Sequence, residues 1–114
     1  NLIVRGIMDS LAGKQPCNDE CPVKKTADVI EGKWTTLIIR ELLAGKKRYS
    51  EIQRALKGIS PKILTTRLRH LEKQGIVSRT VYATVPPTTE YELTLIGKTL
   101  KDVLNAMAIF GKQL

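Results

Sequence analysis

The chain has 114 residues, of which 42% are hydrophobic, and it carries a formal net charge of +8. This length suits one small domain with a modest core. It contains no apolar run near the roughly 18 residues that a membrane helix needs, which excludes a protein with a membrane-spanning helix. Its two cysteines are too few for a disulfide framework, which excludes a small disulfide-rich protein. The sequence shows no positively charged segment followed by an apolar one at its start, which is the pattern of a secretory signal peptide. We therefore expect a cytoplasmic protein with no membrane partner.

The N-terminal 20 residues are predicted to form an arm. Hydrophobic residues recur at helical spacing within residues 1–13, which predicts a short amphipathic helix whose apolar face needs a partner. A polar connector follows and shows no periodicity.

Cys21-Pro22-Val23 opens the next predicted helix, which runs to about Glu31. Pro22 suits the first helical turn and places Cys21 at or near the N-cap, where the helix dipole favours a thiolate. Two interpretations stay open. Cys21 is either a thiol that senses oxidants or electrophiles, with Cys17 as its resolving partner, or a small and partly buried structural residue. The chain offers too few soft ligands for a metal site, so we expect neither a metal nor another cofactor.

A second apolar helix is predicted to end at Gly45. Each of the two helices has an inner stripe of hydrophobic residues at helical spacing. The predicted stripes are Val23, Ala27 and Ile30 in the first helix and Trp34, Leu37, Ile38 and Leu42 in the second.

The stretch from Ser50 to Gly75 reads as two helices joined by a tight turn. We expect Ser50 to cap the first helix and Ser60 to cap the second, with Pro61 at its first position. At about 100° per residue the second helix has one apolar face and one face of cationic and small polar groups. The apolar face holds Leu64, Leu68 and Leu71, and the polar face holds Lys62, Thr66, Arg69 and Lys73, flanked by Thr65 and His70. Such a helix can pack on a core and present its basic face to a DNA major groove.

The distribution of charge favours DNA binding over a merely solvated surface. Ten Lys and Arg but only two Glu lie between Lys46 and Thr80, so this segment alone has the net charge of the whole chain, +8. Concentrating charge in this way causes self-repulsion in the folded state, which a polyanion would neutralise.

A β-hairpin is predicted directly after the basic helix. Residues 76–83 are rich in β-branched side chains, and residues 90–94 alternate polar and apolar, with two prolines in the loop between them. This position is typical of the wing of a winged helix-turn-helix domain, so the predicted fold is mainly α with a small β-hairpin wing.

The last predicted helix begins after Thr94, its expected cap, and continues to Leu114. Its hydrophobic residues are spaced by alternating steps of four and three, which is the seam of a coiled-coil-like contact. They are Ile96, Leu100, Val103, Met107, Phe110 and Leu114. We predict that this helix forms a two-fold dimer interface, with packing inside one chain as the alternative.

With these residues in place, the chain resembles the HxlR family of winged helix-turn-helix transcriptional regulators over roughly residues 21–111. The resemblance rests on an ordered series of short motifs, among them Cys21-Pro22-Val23, Gly32-Lys33-Trp34, Ser50-Glu51-Ile52, Gly58-Ile59-Ser60-Pro61, Gly75-Ile76-Val77, Val85-Pro86-Pro87 and Glu90-Tyr91-Glu92-Leu93-Thr94. The resemblance implies a homodimeric DNA-binding regulator, and repressor is the more common role in the family. In some members the cysteine of the Cys-Pro-Val motif, here Cys21, senses quinones, aldehydes or oxidants.

The chain departs from the family pattern at two positions. Thr88 stands where many members have a basic residue after the paired prolines, which puts minor-groove contact by the wing tip in doubt. Cys17 is not part of the pattern.

We therefore predict a single winged helix-turn-helix domain over residues 1–114, with an arm at 1–20, a core at 21–94 and a dimerisation helix at 95–114. It would bind double-stranded DNA at an inverted repeat as a homodimeric repressor. The residues expected at base edges are Lys62, Thr65, Thr66, Arg69 and His70, and those expected at phosphates are Ser60, Arg67, Lys73, Lys46 and Arg79.

Two other classes of function are weighed against this prediction. An enzyme is not expected, because the sequence shows neither paired carboxylates nor a phosphate-binding glycine loop. A winged-helix module that binds a protein partner is the alternative.

Overall fold

A computed structural model of the protein describes residues 20–114, so the predicted N-terminal helix and Cys17 lie outside the described residues. The described helices are α1 Pro22–Ile30, α2 Lys33–Leu43, α3 Tyr49–Ala55, α4 Pro61–Lys73, α5 Leu95–Lys98 and α6 Leu100–Gly111. The strands are β1 Lys47–Arg48, β2 Val77–Tyr82 and β3 Thr88–Leu93. Within this part of the chain, no helix combines the length and the apolar character needed to cross a membrane.

The described residues fall into two units, one ending at Ile30 and the other spanning Glu31–Leu114. Helix α1 belongs to the first unit. The carbonyl of Cys21 accepts a hydrogen bond from the backbone N–H of Lys25 at 3.0 Å, which confirms Cys21 as the N-cap. No residue of α1 is buried, and Val23 is 69% exposed, so the inner stripe predicted for this helix is wrong.

The core of the second unit lies where α2 and α4 pack against the sheet. Helix α2 buries Thr35, Ile38, Ile39 and Leu42. The hydroxyl of Thr35 can be buried because it donates to the carbonyl of Glu31 at 2.6 Å. The buried face is therefore turned from the predicted one, and Trp34, predicted as core, is only partly buried. The ammonium of Lys33 lies 4.9 Å from the centre of the Trp34 ring, a cation–π contact near the surface.

The sheet is antiparallel with the strand order β1-β3-β2. The predicted hairpin is confirmed, with Val77 opposite Leu93 and Tyr82 opposite Thr88. Strand β3 begins at Thr88, inside the predicted loop. Strand β1 was not predicted, because two polar residues show no periodicity.

Thr94 caps the C-terminal helical region as predicted, since its hydroxyl accepts from the N–H of Gly97 at 3.2 Å. The prediction of one continuous helix from Thr94 to Leu114 is wrong, because a turn at Thr99 separates α5 from α6. The Thr99 N–H bonds the carbonyl of Ile96 three residues back, and the Thr99 hydroxyl bonds the same carbonyl. A threonine that binds a nearby carbonyl in this way interrupts the regular helical ladder.

Candidate nucleic-acid interface

Helix α3 begins at Tyr49, with Arg48 as its N-cap. The side chain of Glu51 accepts a hydrogen bond from the backbone N–H of Arg48 at 2.9 Å. The predicted Ser50 cap is therefore wrong, because Ser50 already lies inside the first turn. Ile52 is fully buried and anchors the helix to the core.

The cap and the apolar face predicted for α4 are both confirmed. The hydroxyl of Ser60 accepts from the N–H of Ile63 at 3.1 Å, and Pro61 occupies the first position. Leu64, Leu68 and Leu71 are buried. This packing fixes which face of α4 points outward.

The outward face of α4 is basic. All four side chains predicted for this face are exposed, namely Lys62, Thr66, Arg69 and Lys73. Thr65 and His70 flank it and are half-buried. We call these six residues the α4 basic face. Its positive charges and hydroxyls match the phosphates and base edges of a DNA groove.

Tyr49 joins α3 to α4. Its hydroxyl lies 3.1 Å from the carbonyl oxygen of Pro61 and 3.2 Å from the hydroxyl oxygen of Thr65. These contacts fix the two helices of the helix-turn-helix relative to each other next to the α4 basic face. Sequence reasoning missed Tyr49, because a single tyrosine before an amphipathic helix carries no specific signal.

Arg67 is placed differently from the other basic residues of α4. A Cβ atom added at Gly32 would come within 2.7 Å of the guanidinium carbon of Arg67, so the two residues pack closely. The Nε atom of Arg67 is buried and has no hydrogen-bond partner among the described residues. Arg67 therefore lies apart from the α4 basic face, and its predicted phosphate contact gains no support from this position.

The two basic residues predicted outside α4 lie beside carboxylates. The ammonium of Lys46 is 3.7 Å from a carboxylate oxygen of Glu90, and Nε of Arg79 is 3.8 Å from one of Glu72. The Lys46 and Arg79 side chains are 60% and 49% exposed, and ion pairs at such exposed sites are worth at most about 1 kcal/mol. A phosphate can therefore compete for either cation.

Tyr91 lies behind Arg79 and is almost fully buried. Burial raises the pKa of the Tyr91 hydroxyl, while the positive charge of Arg79 acts in the opposite direction. The ring thus forms an uncharged floor for the cleft between α4 and the sheet.

Cys21 is half-buried at the N-cap of α1. The two lysines expected to support a thiolate are close to carboxylates, with Lys24 3.2 Å from Asp28 and Lys25 3.6 Å from Glu20. Their positive charges are therefore partly offset, whereas the position of Cys21 at the helix N-terminus favours a thiolate.

The hydrophobic seam predicted for the last helix divides into a buried and an exposed part. Leu100 is 8% exposed and packs inside the chain, where α6 contacts α2, and Val103 is half-buried. Ile109 is exposed on the opposite side of α6, whereas the remaining seam residues are exposed together with Leu95, namely Leu95, Ile96, Met107, Phe110 and Leu114. We call this set the C-terminal apolar face. A row of large exposed hydrophobic groups is typical of an interaction surface.

Comparisons with a family model and with individual proteins indicate the same family for this chain. The family model described as HxlR-like helix-turn-helix matches residues 29–114. The HTH-type transcriptional regulator sll1512 of Synechocystis is 42% identical over 103 residues, which cover 88% of this chain and 76% of the relative.

Two solved structures show the same fold. A transcriptional regulator of the MarR family from Porphyromonas gingivalis superposes with a TM-score of 0.82 at 37% identity, over 87% of this chain and 97% of that one. The redox regulator HypR in its oxidized form superposes with a TM-score of 0.75 at 44% identity, over 82% of this chain and 97% of that one. HypR is also known in a reduced form.

Proposed function

We propose that this protein acts as a homodimeric repressor at an inverted-repeat operator. The chain belongs to the HxlR-like helix-turn-helix family and is a transcriptional regulator of that type. Members of this class bind DNA and are not enzymes. The observation that carries the proposal is the α4 basic face, of which Lys62, Thr66, Arg69 and Lys73 are exposed while the three buried leucines hold the helix to the core.

The contacts with DNA are divided by position. Lys62, Thr65, Thr66, Arg69 and His70 meet base edges in the major groove, where arginine and lysine match the acceptors of guanine. Ser60, Lys73, Lys46 and Arg79 position the phosphate backbone. Phosphates would replace Glu90 and Glu72 as partners of the last two cations, which fits the long ion-pair distances of 3.7 and 3.8 Å.

Dimerisation uses the C-terminal apolar face. A second copy that covers this face removes several large hydrophobic side chains from water, and each one fully buried contributes about 1.5–3 kcal/mol. A two-fold axis through this contact would hold two α4 helices one DNA turn apart, about 34–36 Å, which matches an inverted repeat.

The test of DNA binding compares duplexes at fixed salt. The purified protein is titrated against DNA from upstream of its own gene and against an unrelated duplex of equal length. We expect tighter binding to the upstream DNA and protection of two symmetrical half-sites. Equal binding to both duplexes would contradict an operator, and a stable complex with another protein in place of DNA would support the interaction-module alternative.

We also propose that Cys21 senses oxidants or electrophiles. Two observations favour this: Cys21 stands at a helix N-cap, and the chain is 44% identical to a protein described as the redox regulator HypR. Operator binding is measured in reduced protein and again after mild oxidant or quinone, with Cys21→Ser alongside. Loss of binding in the wild type but not in the variant is expected. Specific binding that is indifferent to treatment would leave Cys21 a structural residue.

A further inference from the structure

The hydrogen bonds between α3 and α4 determine how Thr65 can act. The Tyr49 hydroxyl lies 3.1 Å from the Pro61 carbonyl, which can only accept, so the single phenolic proton is used there. The Thr65 hydroxyl is 3.2 Å from the same Tyr49 oxygen and must then supply the proton for that second bond. Thr65 thus donates to Tyr49, and its remaining capacity is that of an acceptor.

We propose that Tyr49 holds Thr65 as a hydrogen-bond acceptor and so makes it select a base that offers an amino group. The inference rests on the proposed function, in which α4 enters the major groove. There, adenine and cytosine present amino donors, whereas guanine and thymine present acceptors. On the strand that it faces, Thr65 therefore prefers adenine or cytosine. Tyr49 touches no base and acts as a positioning residue.

The neighbouring threonine shows why the contact with Tyr49 matters. The Thr66 hydroxyl donates to the carbonyl of Lys62 at 2.8 Å within its own helix. Thr66 is exposed, and rotation about one side-chain bond releases this proton, so Thr66 can donate or accept. The Thr65 hydroxyl is half-buried and is held by a side chain from another helix, which makes its polarity a fixed property of the fold.

The position of Arg69 locates the selected base. Arg69 follows Thr65 by four residues, just over one helical turn, which is a rise of about 6 Å along the axis. Base pairs are spaced by about 3.4 Å. If Arg69 reads a guanine, the adenine or cytosine read by Thr65 lies within about two base pairs of it.

In vitro selection from a random duplex pool tests the inference. Wild type, Tyr49→Phe and Thr65→Val are selected in parallel, with Tyr82→Phe as the matched control, because the Tyr82 hydroxyl bonds Glu90 on the hairpin, away from α4. We expect the wild type to enrich one base pair at one position of each half-site, and to lose affinity when its adenine or cytosine is replaced by purine or 2-pyrimidinone, which lack the amino group. Tyr49→Phe frees the Thr65 proton and should broaden that position to all four bases, and Thr65→Val should weaken binding to the selected duplex about two- to tenfold.

Each other outcome is also decisive. If Tyr49→Phe selects the wild-type sequence at every position, or lowers affinity for all duplexes without changing base preference, Tyr49 is merely structural and the inference fails. Because every base pair contains an adenine or a cytosine, equal affinity of the wild type for duplexes with and without that amino group would overturn it as well. A wild type that selects no sequence would overturn the proposed function itself, a result distinct from an unchanged motif in Tyr49→Phe. Tyr82→Phe should retain the wild-type motif.

Discussion

Gly97 lies directly against the carbonyl oxygen of Ile76, so close that no side chain fits between them. The Thr94 hydroxyl also contacts this carbonyl, at 3.1 Å. The contact joins the first turn of α5 to the start of the hairpin. Through it, the C-terminal helices are fixed to the part of the molecule that carries α4.

Gly97→Ala should therefore destabilise the protein. The added methyl group must displace backbone atoms, and overpacking of this kind costs about 1–3 kcal/mol or more. Gly111→Ala is the matched control, because a Cβ at Gly111 meets no atom within 4 Å and alanine favours a helix. Denaturant unfolding at one protein concentration measures both. Equal free energies of unfolding for the two variants would show that the Ile76 contact can relax.

Arg69→Ala should weaken operator binding by about 1–3 kcal/mol and relax the choice of base at one position, if the guanidinium reads a guanine. Arg40→Ala removes an exposed arginine from α2 and serves as the control. Competition between the operator and single-base variants measures the effect. A loss of equal size on every sequence would instead make Arg69 a phosphate contact.

Lys73→Ala should lower the dependence of binding on salt. Each phosphate contact contributes about one unit to the slope of log K against log salt, because it releases a condensed counterion. The slope is measured by titration at several salt concentrations, beside Lys101→Ala on α6. An unchanged slope would remove Lys73 from the residues that contact the backbone.

Phe110→Glu should dissociate the proposed dimer. Phe110 is 63% exposed on the C-terminal apolar face, and a second copy cannot bury a carboxylate there without a large desolvation cost. Asn105→Glu is the control, since Asn105 is exposed on the opposite side of the predicted seam. Sedimentation velocity measures the mass in solution of the wild type and of each variant. A Phe110→Glu variant that sediments like the wild type would place the interface elsewhere.

Tyr91 should make the fold sensitive to alkali. Burial raises the pKa of its hydroxyl, so the folded state holds this proton more tightly than the unfolded chain does. The associated stability is complete below the unfolded pKa of about 10 and is lost as pH rises through the folded pKa. The free energy of unfolding should fall less steeply above about pH 10 in Tyr91→Phe than in the wild type. Parallel curves for the two proteins would contradict this assignment.

Local patterns in the sequence were sufficient for the central elements. The Ser60 cap, the Pro61 start and the three buried leucines of α4 are confirmed, because a cap and a 3.6-residue period are encoded within a few residues. The hairpin is confirmed for the same reason. The overall fold followed from the order of these elements.

Contacts between distant residues, and in one case a local competition for a carbonyl, account for what the sequence did not predict. Helical spacing places Arg67 beside the buried leucines and Arg69 on the polar face, but the close approach to Arg67 of Gly32, 35 positions earlier in the chain, is not encoded in that spacing. The role of Tyr49 depends on the distance between two helices, and the turn at Thr99 depends on a local competition for one carbonyl. None of these leaves a periodic pattern in the sequence.

We expect DNA binding to depend on the α4 basic face and not on net charge alone. We would compare duplex affinity in two triple variants that remove equal charge: Lys62, Arg69 and Lys73 changed to alanine on α4, and Lys98, Lys101 and Lys112 changed to alanine in the C-terminal helical region. We expect the α4 variant to lose specific binding while the C-terminal variant retains it. Equal losses in both variants, or full binding by the α4 variant, would contradict this expectation.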